Sequence, residues 1–374
     1  MKKINSFLLI FGLLFGATAC TNWLSEDGAP KMTYDYYGTE QGVDAAVAAA
    51  YSFLRWGCGN ERYDVLTELG TDLFTAGSDG KNKTSFNAYG TQLNPEDNIL
   101  SGLWENHYKG ISDANIAMDQ ILQSDMSESK KLTSLGEMLF IRSFLYFELV
   151  QQFGKVPLVT EGSFEIRTDF KRAAIADIYK QIITDLRTAV EYLPEKVDDS
   201  QKGKATSYAA SHLLAKVYLT RGSAVTDVRG QKATDMDSVL YFAENVIKNS
   251  PYRLQKNFAD SEVIFAVQFT SNPIFNDDGN TFHLYWLPVY DDEDGMERDI
   301  FYGRPYKRYR PTDKVLFKLY DRKNDSRFYK SFRWAYMSNY AKTIPVWKEL
   351  EDKGEIYFTP DPQKGQIAGK KKFE

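Results

Sequence analysis

The stretch that most constrains this chain is Gly136–Gly162, GEMLFIRSFLYFELVQQFGKVPLVTEG. Met138, Leu139, Phe140, Ile141, Phe144, Leu145, Tyr146, Phe147, Leu149 and Val150 cover almost the whole circumference of a helix. A helix with so little polar face is a central one, covered by neighbours on several sides. Gly154 supplies a left-handed stop. Val156-Pro157 then forces an extended exit, because the residue before proline avoids the helical region. Arg142 stands inside this apolar wall and must be paired or reach a solvated edge, since an unpaired buried cation is too costly to keep.

The neighbours are legible on either side. Val43–Trp56 is an Ala-rich amphipathic helix broken at Gly57-Cys58-Gly59-Asn60, and Leu103–Leu122 is a second. Between them, Glu61–Ser101 is a long polar segment; a connection of that length in a compact domain is functional or ordered by other parts of the chain. Ala173–Leu193 carries apolar residues at three- and four-residue spacing and stops at Pro194. The pattern then repeats. Thr206–Arg221 ends at Gly222 much as the first helix ends at Gly154, and an amphipathic partner running from Met236 to Ile247 stops before Pro251. A buried helix followed by an amphipathic one, twice over, predicts stacked αα-hairpins. The expected fold is mainly α: tetratricopeptide-like helical hairpins with long loop-rich insertions and a few short strands. Val263–Phe269 alternates and reads as one such strand, and a short helix is expected near Thr312–Asp321.

The start of the chain reads as an address. Met1-Lys2-Lys3 is a basic n-region, Phe7–Phe15 an apolar h-region, and Ala17-Thr18-Ala19 places small residues before Cys20. This arrangement is that of a lipoprotein signal, residues 1–19, with Cys20 as the lipidated (palmitate-type) first residue; Ala17 stands where Leu is usual. The alternative is an ordinary secreted protein with a coincidental cysteine. Residues 20–41 form a tether, and its Glu26-Asp27 pair is either a surface-export signal or solvated linker. A lipid would hold the protein to a membrane without a spanning helix.

Composition excludes some classes. A formal net charge of −5 argues against nucleic acid, whose binding rests on basic patches that release counterions. With Cys20 and Cys58 the only cysteines, a disulfide framework is excluded; Cys58 reads as an inert thiol. His107, His212 and His283 lack metal-ligand spacing to one another, and no phosphate loop or nucleophile elbow occurs. Glu297 and Asp299 could serve a glycosidase, but neighbours on one segment do not easily straddle a sugar. Asp291, Asp292 and Asp294 could ligate calcium or form a solvated acidic loop; the run lacks the spacing of an EF-hand.

Aromatic content of 14% is on the high side for a soluble chain, and much of that excess belongs to packing. Tyr and Trp beyond what a core needs are also the stock of carbohydrate-stacking and interface surfaces. Sugar recognition requires flat apolar faces for pyranose C–H surfaces and planar polar groups for hydroxyls. Phe74–Asn94 and Asn272–Arg310 offer both, and Phe74, Tyr89, Tyr285, Trp286 and Tyr290 are the candidate ligand-binding residues.

Several stretches, in order, resemble the SusD/RagB family of outer-membrane glycan-binding lipoproteins of Bacteroidetes. They are the lipoprotein start, LWENHYKGISDANIAMDQI, FIRSFLYFELVQQFGKVPLV, RAAIADIYKQIITDLRTAVEYLP, KATSYAASHLLAKVYL, and the late YGRPYKRYRPT and DSRFYKSF. The resemblance divides the chain into a helical scaffold, 42–270, and a loop-rich ligand-binding region, 271–374, which ends earlier than is usual in the family, as a C-terminal truncation would. It implies a non-catalytic protein that captures oligosaccharide and delivers it to a SusC-like, TonB-dependent outer-membrane porin. An adaptor lipoprotein holding a peptide or protein, and a glycoside hydrolase, are the alternatives.

Overall fold

The computed structural model describes residues 36, 38–80, 84–163, 165, 167–255, 260–270, 279–292 and 296–332. The signal, Cys20 and most of the tether, with Asp294, therefore lie outside the described residues. In chain order the helices are α1 (Glu40–Ser52, continued by a 3₁₀ turn at Phe53–Trp56), α2 (Arg62–Thr67), α3 (Thr84–Ala88), α4 (Asn98–Gln123), α5 (Glu128–Phe153), α6 (Ile175–Tyr192), α7 (Ser207–Gly222), α8 (Asp235–Asn249), α9 (Phe282–Tyr285) and α10 (Arg327–Ser331). β1 (Phe74–Ala76) and β2 (Tyr309–Pro311) pair antiparallel, with Thr75 opposite Arg310.

Each long helix packs on the next, from α4 through α8, and α5 also touches α1 and α7. That position explains its sequence. Met138, Ile141, Leu145, Tyr146 and Leu149 have no exposed surface, because helices cover α5 on several sides. Arg142 is paired as its burial demands. Its guanidinium forks onto Asp185 of α6 through two 2.8 Å bonds and donates to Asn115 Oδ1 at 2.7 Å and to the Thr160 carbonyl at 3.1 Å. The second hairpin repeats the device: Arg221 at the end of α7 forks onto Asp235 at the start of α8, at 3.0 and 2.5 Å.

The exit from α5 is sewn down by side chains. Tyr108 donates to the Pro157 carbonyl, Asn115 to that of Val159, and the Tyr146 hydroxyl both donates to Val159 O and accepts from Val159 N. With a single antiparallel bridge to Arg172 and the bond from Ala173 N to Val156 O, the extended backbone is otherwise satisfied by these side chains.

Three local expectations need correction. Gly154 has φ 70° and ψ −113°, outside the left-handed helical region; the chain turns more sharply there, in a conformation that suits glycine. Gly222 has no positive φ and stays helical; it is small because a Cβ would press on Asp235 and Met236 of α8. Val263–Phe269 forms no strand. Its alternation comes from Phe265 and Val267 lying on the helical core, Phe265 edge-on to Phe140, with no second strand to pair with. The short helix expected near Thr312–Asp321 is present, and its body, Val315–Leu319, is π-helical.

The long 61–101 connection is ordered by distant chain. A second core gathers Val65, Leu69, Phe86 and Ile99 from this connection and α4 with Tyr285 and Tyr309 from the late loops.

Candidate functional site

The second core is latched to the scaffold before it is closed from above. Tyr63 donates to Glu148 of α5 at 2.6 Å, and the same carboxylate oxygen lies 2.6 Å from His107 Nε2 of α4. His107 is fully buried, as a structural histidine is. Beside them Cys58 is held as a thiol: burial, then the Glu148 charge, pushes it up to about 11, so it is a poor nucleophile at neutral pH. Gly59 O then accepts from Thr281 N at 2.7 Å, and Glu61 O from the Tyr309 hydroxyl at 3.1 Å, joining early and late loops.

Over this base the segment Tyr306–Arg308 is clamped on both sides by backbone hydrogen bonds. Tyr306 N donates to Leu284 O, Lys307 N to Leu287 O and Arg308 N to Tyr285 O. On the other side, Gly77 N donates to Arg308 O and Asp79 N to Lys307 O. Lys307 takes φ 54°, a left-handed conformation that a branched or long side chain adopts only when its surroundings over-determine it. Gly77 allows the clamp, because any Cβ there would run into the Lys307 carbonyl.

Along this clamp opens a cavity of about 510 Å³, within the range of small-ligand sites. Tyr285, Pro305 and Tyr306 line it with Arg298, Arg304, Lys307, Arg308, Glu61 and Asp79, and its open surface is mostly polar. Arg304 lies over the Tyr306 ring, 5.4 Å from its centroid. Trp286 meets Phe74 edge to face at 4.8 Å and Tyr309 at a tilt at 5.1 Å between centroids, and Tyr285 joins Tyr306 at 5.5 Å.

The candidate rings thus fall into three places. Phe74, Tyr285 and Trp286 come together, but chiefly as the floor: Phe74 and Trp286 are half-buried, and Tyr285 lines the cavity while only 9% exposed. Tyr290 is fully buried with Met296 and Tyr302, its hydroxyl given to Gly303 O, so the expectation that it presents a free face is corrected. Tyr89 stands apart, 67% exposed and at φ 51°. Apart from the small Tyr290–Met296–Tyr302 cluster, the rings of these late loops pack on one another and on the second core.

The acids are otherwise engaged. Asp291 accepts from Arg298 at 2.8 and 2.5 Å, and Asp299 Oδ1 accepts from Tyr302 N at 2.7 Å. Among the described residues no three acidic, histidine or cysteine side chains gather as a metal site. Tyr306, Arg304, Lys307 and Arg308 were not singled out as site residues from sequence, although the alternation of basic and aromatic residues in Tyr302–Pro311 was the available signal.

A mainly helical scaffold of stacked hairpins with a loop-built cavity on one flank defines the class, and comparison shows which proteins it is similar to. Residues 42–219 match a SusD-like family model described as starch-binding associating with outer membrane. The chain is 27% identical over 298 residues to a SusD-like protein of Bacteroides ovatus, covering 77% of this chain and 50% of that protein. A laminarin-binding SusD-like protein of known structure superposes with a TM-score of 0.63 at 23% identity, over 84% of this chain and 68% of its own. A structure solved with a xylogluco-oligosaccharide gives 0.58 at 24% identity, over 74% and 54%. In the part these matches share, the chain is similar to SusD-like proteins. It spans about half the length of the curated relatives it matches.

Proposed function

We propose that this protein captures a carbohydrate at the cell surface, without cleaving it, and passes it to a TonB-dependent outer-membrane porin, with Cys20 lipidated as the anchor. The observation that carries the reading is the cavity itself: a tyrosine wall and planar guanidinium groups on a backbone clamped from both sides, set on a SusD-like scaffold. Ring faces bind the apolar side of a pyranose, and Arg donors bind its oxygens. Relatives whose names cite laminarin and xylogluco-oligosaccharide make carbohydrate the first ligand class to try. Affinity electrophoresis against a panel of polysaccharides tests capture. Tyr306→Ala is expected to abolish retardation, and retardation that survives it would displace the site from this cavity. Co-purification of a porin from solubilised outer membrane tests delivery.

A second reading, an adaptor that binds protein, has one observation in its favour. Helix α8 exposes Leu240, Tyr241 and Ile247, at 61%, 70% and 71%, and an apolar patch of that kind marks an interaction surface.

A further inference from the structure

Resting on that carbohydrate-capture reading, we infer that the cavity takes an anionic oligosaccharide, one whose sugars carry carboxylate or sulfate groups. The chain as a whole has a surplus of acid, with a formal net charge of −5. The cavity reverses that balance, with Arg298, Arg304, Lys307 and Arg308 against Glu61 and Asp79. Such a local reversal concentrates anions by field focusing between low-dielectric walls.

The four cations differ in what they have left to give. Arg298 is committed to Asp291, with two bonds to one carboxylate oxygen. Lys307 and Arg308 hold their carboxylates loosely, Nζ 3.6 Å from Asp79 and Nε 3.8 Å from Glu61, both beyond hydrogen-bond reach. Arg308 Nε is buried and closes no hydrogen bond among the described residues, while its Nη1 donates to Asp79 O at 2.7 Å. A buried charged donor left without an acceptor is unfavourable, and an acceptor entering the cavity would relieve it. Arg304 is exposed and pairs with no carboxylate among the described residues; it rests on Tyr306 alone.

Arg304 and Tyr306 together have the form a charged sugar needs. The ring offers a face to the pyranose, and the planar fork above it matches the two oxygens of a carboxylate or sulfate. A neutral glycan would use the face and leave the charge uncompensated. The strained φ of Lys307, held by backbone bonds to Leu287 and Asp79, fixes the direction in which that side chain leaves the backbone toward the same wall.

The test is affinity electrophoresis and calorimetry of the full chain against matched polymers: polygalacturonate and its methyl ester, a sulfated galactan and its desulfated form, and laminarin. The expected result is binding to one of the anionic polymers, weaker by about tenfold or more for its neutralised counterpart and falling with added salt. Whether the polygalacturonate or the sulfated arm responds identifies the anion as carboxylate or sulfate. Arg304→Gln should lose about tenfold in affinity for that polymer, whereas Arg167→Gln, on an exposed pair elsewhere, should lose nothing. Equal binding of charged and neutralised polymers, or of laminarin alone, unaffected by Arg304→Gln, would overturn the anionic inference and leave carbohydrate capture standing. Binding of none of the five would overturn both.

Discussion

Asp64 is the residue whose chemistry is most at odds with its place. It sits under the cavity, 6% exposed, beside the Trp286 indole. Burial pushes its carboxyl up to about 7; the indole N–H draws it down, and the Glu68 and Glu61 charges add to the rise. The folded value stands above the usual 3.8, so the folded chain binds the proton more tightly than the unfolded one. Its contribution to stability is therefore full at acid pH and is lost as pH rises from about 4 to about 7. Asp64→Asn should stabilise the protein by roughly 2 kcal/mol at pH 8 and leave it unchanged near pH 4, read by urea unfolding at the two pH values. Arg142 gives the complementary case. Asp185→Ala leaves its guanidinium buried without its carboxylate and should cost about 3–5 kcal/mol, while Arg142→Met with Asp185→Leu should recover most of that loss. Thermal melts of the single and double variants would separate the two. That Arg142 needs a partner follows from its apolar neighbours in sequence. Its partner, 43 residues on, emerges only when α5 and α6 are laid side by side.

At the scale of elements, periodicity located the long helices because tertiary packing agrees with it. Each presents one stripe to its neighbours, apart from α5 and α7, which are buried on most sides. Short elements obey other rules. β1 and β2 are three residues each, and neither could stand alone. They persist because the chain on either side is tied by further backbone bonds, from Thr312 N to Leu73 O and from Gly77 N to Arg308 O. Gly77→Ala should push the Lys307 carbonyl away and open this clamp. The expected outcome is a loss of ligand binding with a small fall in melting temperature, since the helical core is untouched; amide exchange should rise at Gly77, Asp79 and Arg308 alone. Val263–Phe269 shows the converse. Its alternation was real, but a strand needs a partner with free donors and acceptors, and helices offer none, so apolar packing took the place of a ladder.

For the whole molecule, two cores divide the labour. The larger one holds the hairpins rigid, and the smaller one sets the loops that shape the cavity, joined through Tyr63, Glu148 and the Gly59–Thr281 bond. The exposed apolar stripe on α8 should make the isolated chain associate with rising concentration. Leu240→Lys with Ile247→Lys should suppress that association in sedimentation velocity while changing stability by no more than about 0.5 kcal/mol. The amino-acid sequence by itself determined the helical hairpins, their order and the burial of Arg142, because helix periodicity and the cost of a bare charge act over a few turns. Only the tertiary structure decided which rings would face a ligand. Residues 61, 79, 285 and 298–308 meet through backbone bonds between segments some two hundred positions apart, and rings with no core of their own close on each other before they face solvent.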